Sequence, residues 1–187
     1  VEERLARPAG HLYRWEDGGG TLEGGVADDT ARMTDAEGKP RPALVFIHGT
    51  GSSTLGSFGD LQRSDRGLWA RLESRFPGGI YGFEHRTLSE SPIENALQLA
   101  AALPRGARVS LVTHSRGGLV GDLLCLQDID QHIVGHSFAF PGVGDAQGRE
   151  VEVRRELDRA HAEHRDQLRA LFSLLRDKSL VVERYVR

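Results

Sequence analysis

The chain has 187 residues, of which 39% are hydrophobic and 27% charged, with a formal net charge of −3. This length suits one domain with a substantial core, and the near-neutral balance gives no reason to expect nucleic acid or an anionic membrane as a partner. No apolar run reaches the length of a membrane span, no signal-peptide pattern opens the chain, and Cys125, the single cysteine, excludes an intrachain disulfide, so a reducing, cytoplasmic setting fits.

Residues 1–42 are weakly patterned and read as an irregular or β-ribbon segment ahead of a domain over 43–187. Leu12-Tyr13-Arg14-Trp15 has the makings of an edge strand. Gly18–Gly20 and Gly24-Gly25 bracket Thr21-Leu22-Glu23 and read as turns. A phosphate-cradling loop needs a strand, then glycines, then a helix, and none follows here. Asp28–Arg41 is polar and runs into Pro40 and Pro42, which suits a linker or a mobile loop.

Ala43-Leu44-Val45-Phe46-Ile47 is the clearest strand, a continuous apolar run of the kind buried on both faces of a parallel sheet. It leads straight into His48-Gly49-Thr50-Gly51-Ser52-Ser53, where glycines free the backbone to turn N–H groups outward. Leu61, Leu68, Trp69, Leu72 and Phe76 follow at rough helical spacing, so a helix is expected over part of Phe58–Phe76. Gly78-Gly79 breaks it, and Ile80-Tyr81-Gly82-Phe83 reads as a short strand. Glu84, His85 and Arg86, just beyond that strand, are candidates for lining a cleft, with a surface loop as the alternative. His48 and His114 join His85 as candidate cleft-lining histidines; for His48 a structural imidazole bracing its loop is favoured over a catalytic base.

Ser91-Pro92 opens the next helix with an N-cap and a proline at the first position. Its apolar face runs from Ile93 through Ala96, Leu97, Ala100 and Ala101 to Leu103, and Pro104 and Gly106 end it. Val109, Leu111 and Val112 then make a short strand, and Leu119, Val120, Leu123, Leu124 and Leu126 recur at helical spacing. Between them lies Thr113-His114-Ser115-Arg116-Gly117, followed by Gly118. A serine at the apex of a strand-to-helix turn, with small residues two positions away on each side, is the nucleophile-elbow arrangement. Ser115 is the candidate nucleophile, and Thr113, Gly117 and Gly118 are the structural residues of the turn. Thr113 stands where glycine is usual. Alternating strands and helices up to this point predict an α/β fold with right-handed crossovers.

After Leu126 the pattern decays. Residues 127–150 carry Phe138-Ala139-Phe140-Pro141-Gly142 with His132 and His136, and read as a lid-like insertion or a surface loop. Residues 151–177 read as one long amphipathic helix, with Leu157, Ala160, His164, Leu168, Leu171 and Leu175 at steps of three and four. Leu180–Val186 returns to strand and is read as an interior strand. His161 and His164 stand three apart, but no ligand cluster has zinc spacing, so neither metal nor cofactor is expected. The chain begins at Val1, and its only methionine is Met33. Together with a stop just after an apolar strand, this suggests a fragment of a longer protein, or a chain whose sheet is completed by a partner domain or chain.

VFIHGTGSSTLGSFGDL after one strand and THSRGGLVGDLL after another resemble the α/β-hydrolase superfamily, in particular its lipase-like and esterase-like members. They also look like the α/β-hydrolase modules of bacterial multidomain proteins, some of which stand beside caspase-like CHAT peptidase domains. The resemblance covers Ala43–Leu126. It implies a mostly parallel sheet with helices on both faces and a C-terminal part that is missing. It further implies Ser115 as nucleophile, with the N–H of Arg116 and that of Thr50 or Gly51 as the oxyanion hole.

In that superfamily the acid and the histidine follow the nucleophile on loops after later strands, and the residues after Leu126 offer no such strand-borne pair. The expected activity is therefore a serine hydrolase of a small ester or other acyl substrate, acting through an acyl-enzyme on Ser115, with base and acid not identifiable in this chain. The alternative is a non-catalytic interaction or regulatory module on the same scaffold. A third reading is another enzyme class such as a peptidase or transacylase.

Overall fold

The apolar run at residues 43–47 becomes the middle strand of a five-stranded sheet in the computed structural model, which describes residues 8–15, 28–125 and 165–187. The strands are β1 (His11–Arg14), β2 (Pro42–Ile47), β3 (Ile80–Glu84), β4 (Arg108–Thr113) and β5 (Val181–Val186). Their order is β1-β3-β2-β4-β5. From β3 to β5 all neighbours are parallel, whereas β1 pairs antiparallel with β3, so the sheet is mixed. The helices are α1 (Thr54–Ser64), α2 (Arg66–Arg75), α3 (Pro92–Ala102), α4 (Gly117–Cys125) and α5 (Arg165–Lys178). This is the general α/β class.

Strand alternation divides the core in two. Ala43, Val45 and Ile47 of β2 face one side, with Leu99 and Leu103 at α3, Val120 and Leu124 of α4 and Leu171 and Leu175 of α5. Leu44 and Phe46 face the other, where Leu55, Leu61 and Trp69 of α1 and α2 cover them. Thus α1 and α2 sit on one face and the later helices on the opposite one. A strand buried on both faces must be apolar at every position, which is why β2 reads as an unbroken hydrophobic run.

Local chemistry sets the boundaries. Ser53 caps α1 by accepting from the Gly56 N–H at 3.0 Å. The helix expected over part of Phe58–Phe76 is in fact two, because Asp65 takes an extended conformation and caps α2, accepting from the Leu68 N–H at 2.8 Å. α3 starts with a reciprocal capping box: Ser91 Oγ accepts from the Glu94 N–H, and the Glu94 carboxylate accepts from the Ser91 N–H.

Two expectations are corrected. First, the segment before residue 43 is not a separate unit. β1 belongs to the sheet, Pro42 already belongs to β2, and Trp15 is packed beside Trp69 with ring centroids 4.8 Å apart. Second, Asp28–Arg41 is not a linker. Asp28 bonds the Leu12 N–H and His11 Nδ1, Asp35 Oδ1 closes a turn by accepting from the Glu37 and Lys39 N–H groups, and Met33 is fully buried. As expected of a strand at which the given sequence stops, β5 lies at the end of the described sheet. Val181 and Val186 are 45% and 59% exposed, and only Val182 and Tyr185 lean on the core. The glycine-rich stretch, the lid-like insertion and the first part of the long helix lie outside the described residues, as do His132, His136, His161 and His164.

Candidate functional site

β2 and β4 are adjacent and parallel, with Ile47 beside Thr113, so the loops that leave them emerge side by side at one edge of the sheet. They leave in different directions: β2 leads to β3 on one flank, and the next crossover returns past β2 to reach β4 on the other. Such a reversal opens a crevice beyond the strand ends, the usual binding position of open α/β sheets.

The turn from β4 into α4 is tight. Ser115 has φ of +53°, in the left-handed region that a non-glycine residue enters only under constraint. The constraint is visible around it. The His114 N–H donates to Ile47 O at 3.0 Å, and the Gly117 N–H closes back on His114 O at 3.0 Å. A Cβ on Gly117 would run into Ile47 O and would lie 2.7 Å from His48 O. Gly49 is equally close: a Cβ there would sit 3.0 Å from the Ser115 Cβ and 2.9 Å from His114 Nδ1. The two glycines therefore allow the loop after β2 and the turn after β4 to touch, with Ser115 and His114 exposed at the junction.

Donors surround this junction. Among the described residues, neither the Thr50 nor the Arg116 N–H donates to another group. The Gly51 N–H, in contrast, donates to Thr87 Oγ1 at 2.9 Å, so in this arrangement it serves the loop and is not free to receive an oxyanion. Arg116 Nη2 donates to Glu90 O at 2.6 Å and ties the turn to the loop before α3.

His48 and His85 do not line a cleft. Both are 0% exposed. They stack with ring centroids 4.1 Å apart, and Phe83 stacks on the other side of His85 at 5.2 Å. His48 Nε2 accepts from the His85 N–H at 3.3 Å, and His48 Nδ1 lies 3.0 Å from Gly49 O. The tautomer that satisfies both contacts carries its proton on Nδ1. Glu84, buried at the end of β3, accepts from the Thr54 N–H at 2.9 Å and lies 3.6 Å from His48 Nε2. This cluster braces residues 48–54 from inside. Glu84 and Thr87 are thus anchors of the loop. Nothing in the sequence marks Thr87 for that role, and Glu84 is legible only as a residue beyond a strand end. Arg86, the third candidate there, is exposed.

The remaining residues of the turn divide by what they touch. Thr113 is buried, and its Oγ1 donates to Val186 O at 3.3 Å. Its methyl faces Gly121 of α4, where an added Cβ would lie 3.1 Å from it. The space that glycine usually leaves at position 113 is here left at position 121. The nearest atoms to an added Cβ on Gly118 belong to the Arg187 side chain, with Nε at 2.7 Å, and that chain can move. Gly118 is therefore less constrained than Gly117. Burial and nearby Asp122 push the Cys125 thiol up, away from the reactive thiolate. The Ser115 hydroxyl has no hydrogen-bond partner among the described residues, and no described group of histidine, cysteine and carboxylate side chains is arranged to hold a metal. No helix among the described residues is long and apolar enough to cross a membrane.

No curated protein and no solved structure matches this chain. One family model does, over residues 11–137, a span that opens on the first residue of β1 and includes β2, the loop after it, β4, Ser115 and α4. That span is more than half of the chain, which therefore belongs to the family described as a domain of unknown function, DUF7379.

Proposed function

We propose that the protein is a serine hydrolase with an α/β-hydrolase-like fold, acting on a small ester or other acyl substrate through an acyl-enzyme on Ser115. The observation that carries the reading is the conformation of Ser115, at φ of +53° in a turn pressed against Gly49. Such a turn lifts a serine Oγ out of the sheet and directs it at whatever occupies the crevice. In the proposed reaction Oγ attacks the acyl carbon and the carbonyl oxygen gathers negative charge. The Thr50 and Arg116 N–H groups, unpaired among the described residues, suit that charge. Collapse of the tetrahedral species expels the alcohol, which takes up a proton, and water then releases the acid and regenerates Ser115. His48 and His85 are committed to the buried brace, so the base that accepts the Ser115 proton is neither of them.

One observation favours a second reading. Ser115 has no described histidine against its hydroxyl, as expected of a non-catalytic interaction or regulatory module on the same scaffold. Fluorophosphonate labelling of the full chain separates the two. The hydrolase reading expects one labelled residue, Ser115, and no labelling of Ser115→Ala. An intact, folded chain that takes no label favours the module, and label that persists in Ser115→Ala removes Ser115 from the chemistry.

A further inference from the structure

Three arginines from separate stretches of the chain converge at the edge of the sheet opposite Ser115. β1 runs antiparallel to β3, which sets Arg14 beside Tyr81 near the start of that strand. Arg32 belongs to a short 3-10 turn, Ala31–Met33, anchored by the buried Met33. The Arg41 N–H donates to Met33 O at 2.8 Å, which folds Arg41 back beside the same turn just before β2 begins. With Trp15, Glu73 and Phe76, these arginines line a cavity of about 520 Å³. That volume lies within the range of small-molecule sites.

The charge in this cavity is not internally balanced. Arg14 is partly offset by Asp29, with Nη1 3.2 Å from Oδ2. The side chains of Arg32 and Arg41 have no ion pair or hydrogen bond among the described residues, and Glu73 is the one carboxylate on the described wall. A guanidinium stays charged at any physiological pH and presents a planar fork of donors that fits phosphate oxygens two at a time. Phe76 and Trp15 supply an apolar portion of the wall.

We propose that this cavity binds a small organic phosphate, with its phosphate between Arg32 and Arg41 and its carbon skeleton against Phe76. The site is separate from Ser115 and does not depend on the hydrolase reading. Isothermal titration of the full chain with phenyl phosphate, inorganic phosphate and phenol, at ionic strength held constant with sodium chloride, tests it. Phenyl phosphate is expected to bind several-fold more tightly than inorganic phosphate, and phenol not at all. Arg32→Gln and Arg41→Gln, both at exposed positions that should not disturb folding, are each expected to weaken phenyl phosphate by about tenfold, the effect of removing one charged hydrogen-bonding group. Glu73→Gln is expected to tighten it, and Ser115→Ala to leave it unchanged. Unaltered affinity in both arginine variants, phenol binding as tightly as phenyl phosphate, or no binding of phenyl phosphate would each overturn the proposal. Loss of binding in Ser115→Ala would also overturn it, by moving the ligand to the other edge of the sheet.

Discussion

Replacing Gly117 by valine would drive a branched side chain against the Ile47 and His48 carbonyl oxygens. Ile47 ends β2 and His48 is fully buried beside it, so neither carbonyl can move aside cheaply. The expected cost is at the upper end of overpacked substitutions, roughly 3 kcal/mol, read as a lowered melting temperature. A valine variant that melts with the wild type would show that the turn has slack. Gly118→Ala, for which the nearest atoms belong to the movable Arg187 chain, should cost much less. At this scale the sequence is readable where the constraint is local. Ser115, Gly117 and the His48–Gly49 loop announce themselves by spacing alone. Gly121 does not, because its partner Thr113 lies a helix turn and a strand end away. The burial of His48 and His85 is equally illegible, since it follows from stacking across two strands.

Among the elements, α3 and α5 are joined by a contact the sequence does not advertise. Lys178, at the last turn of α5, places Nζ 3.0 Å from Ala100 O and 2.6 Å from each of Ala101 O and Leu103 O. These carbonyls at the end of α3 are among those a helix leaves without internal partners, and an ammonium suits both their lone pairs and the negative end of the helix dipole. Burial lowers the Lys178 pKa somewhat. Lys178→Met keeps the length of the side chain and removes the charge. It is expected to cost on the order of 1–2 kcal/mol in urea denaturation, while an unchanged midpoint would mean that water serves those carbonyls equally well. The start of α3 was readable from Ser91-Pro92 alone, whereas the reciprocal bond from Glu94 emerged only in the structure. The break between α1 and α2 also had a local signal, the Asp65 cap, but the apolar spacing of Leu61, Leu68 and Trp69 runs across it and masks it.

For the whole molecule, alkaline pH offers a test of the packing between β1 and β3. Burial, aided by Asp29 and opposed by Arg14 and Arg32, pushes the Tyr81 phenol from 10.0 up to about 12. The folded protein thus holds that proton more tightly than the unfolded chain does. The stabilisation is complete below pH 10 and is lost as pH rises from 10 toward 12. Urea midpoints should fall over that interval, and Tyr81→Phe should flatten the fall; an equal slope in both proteins would place the loss elsewhere. Tyr81 stands opposite Arg14 of β1, which pairs antiparallel with β3. This placement could not be read from Leu12–Trp15, which carries a strand's composition but no mark of its partner or direction. The parallel strands were legible because burial on both faces leaves a one-dimensional trace, whereas strand order leaves none.

One dependence remains between the two ends of the described sheet edge and its centre. α4, which follows Ser115, is held from outside by β5. The single proton of the Tyr185 hydroxyl lies between two acceptors, Gly118 O at 2.7 Å and Asp122 Oδ1 at 2.9 Å, and Arg187 Nη1 donates to Asp122 Oδ2 at 2.9 Å. β5 is also the least buried strand, and its ladder to β4 is interrupted by a bulge between Val109 and Ser110. Strands of that kind are the first to open in local unfolding. The most finely set residue of the molecule is therefore propped by one of its loosest parts. On warming, the turn that carries Ser115 should loosen while β2 and β3 still stand.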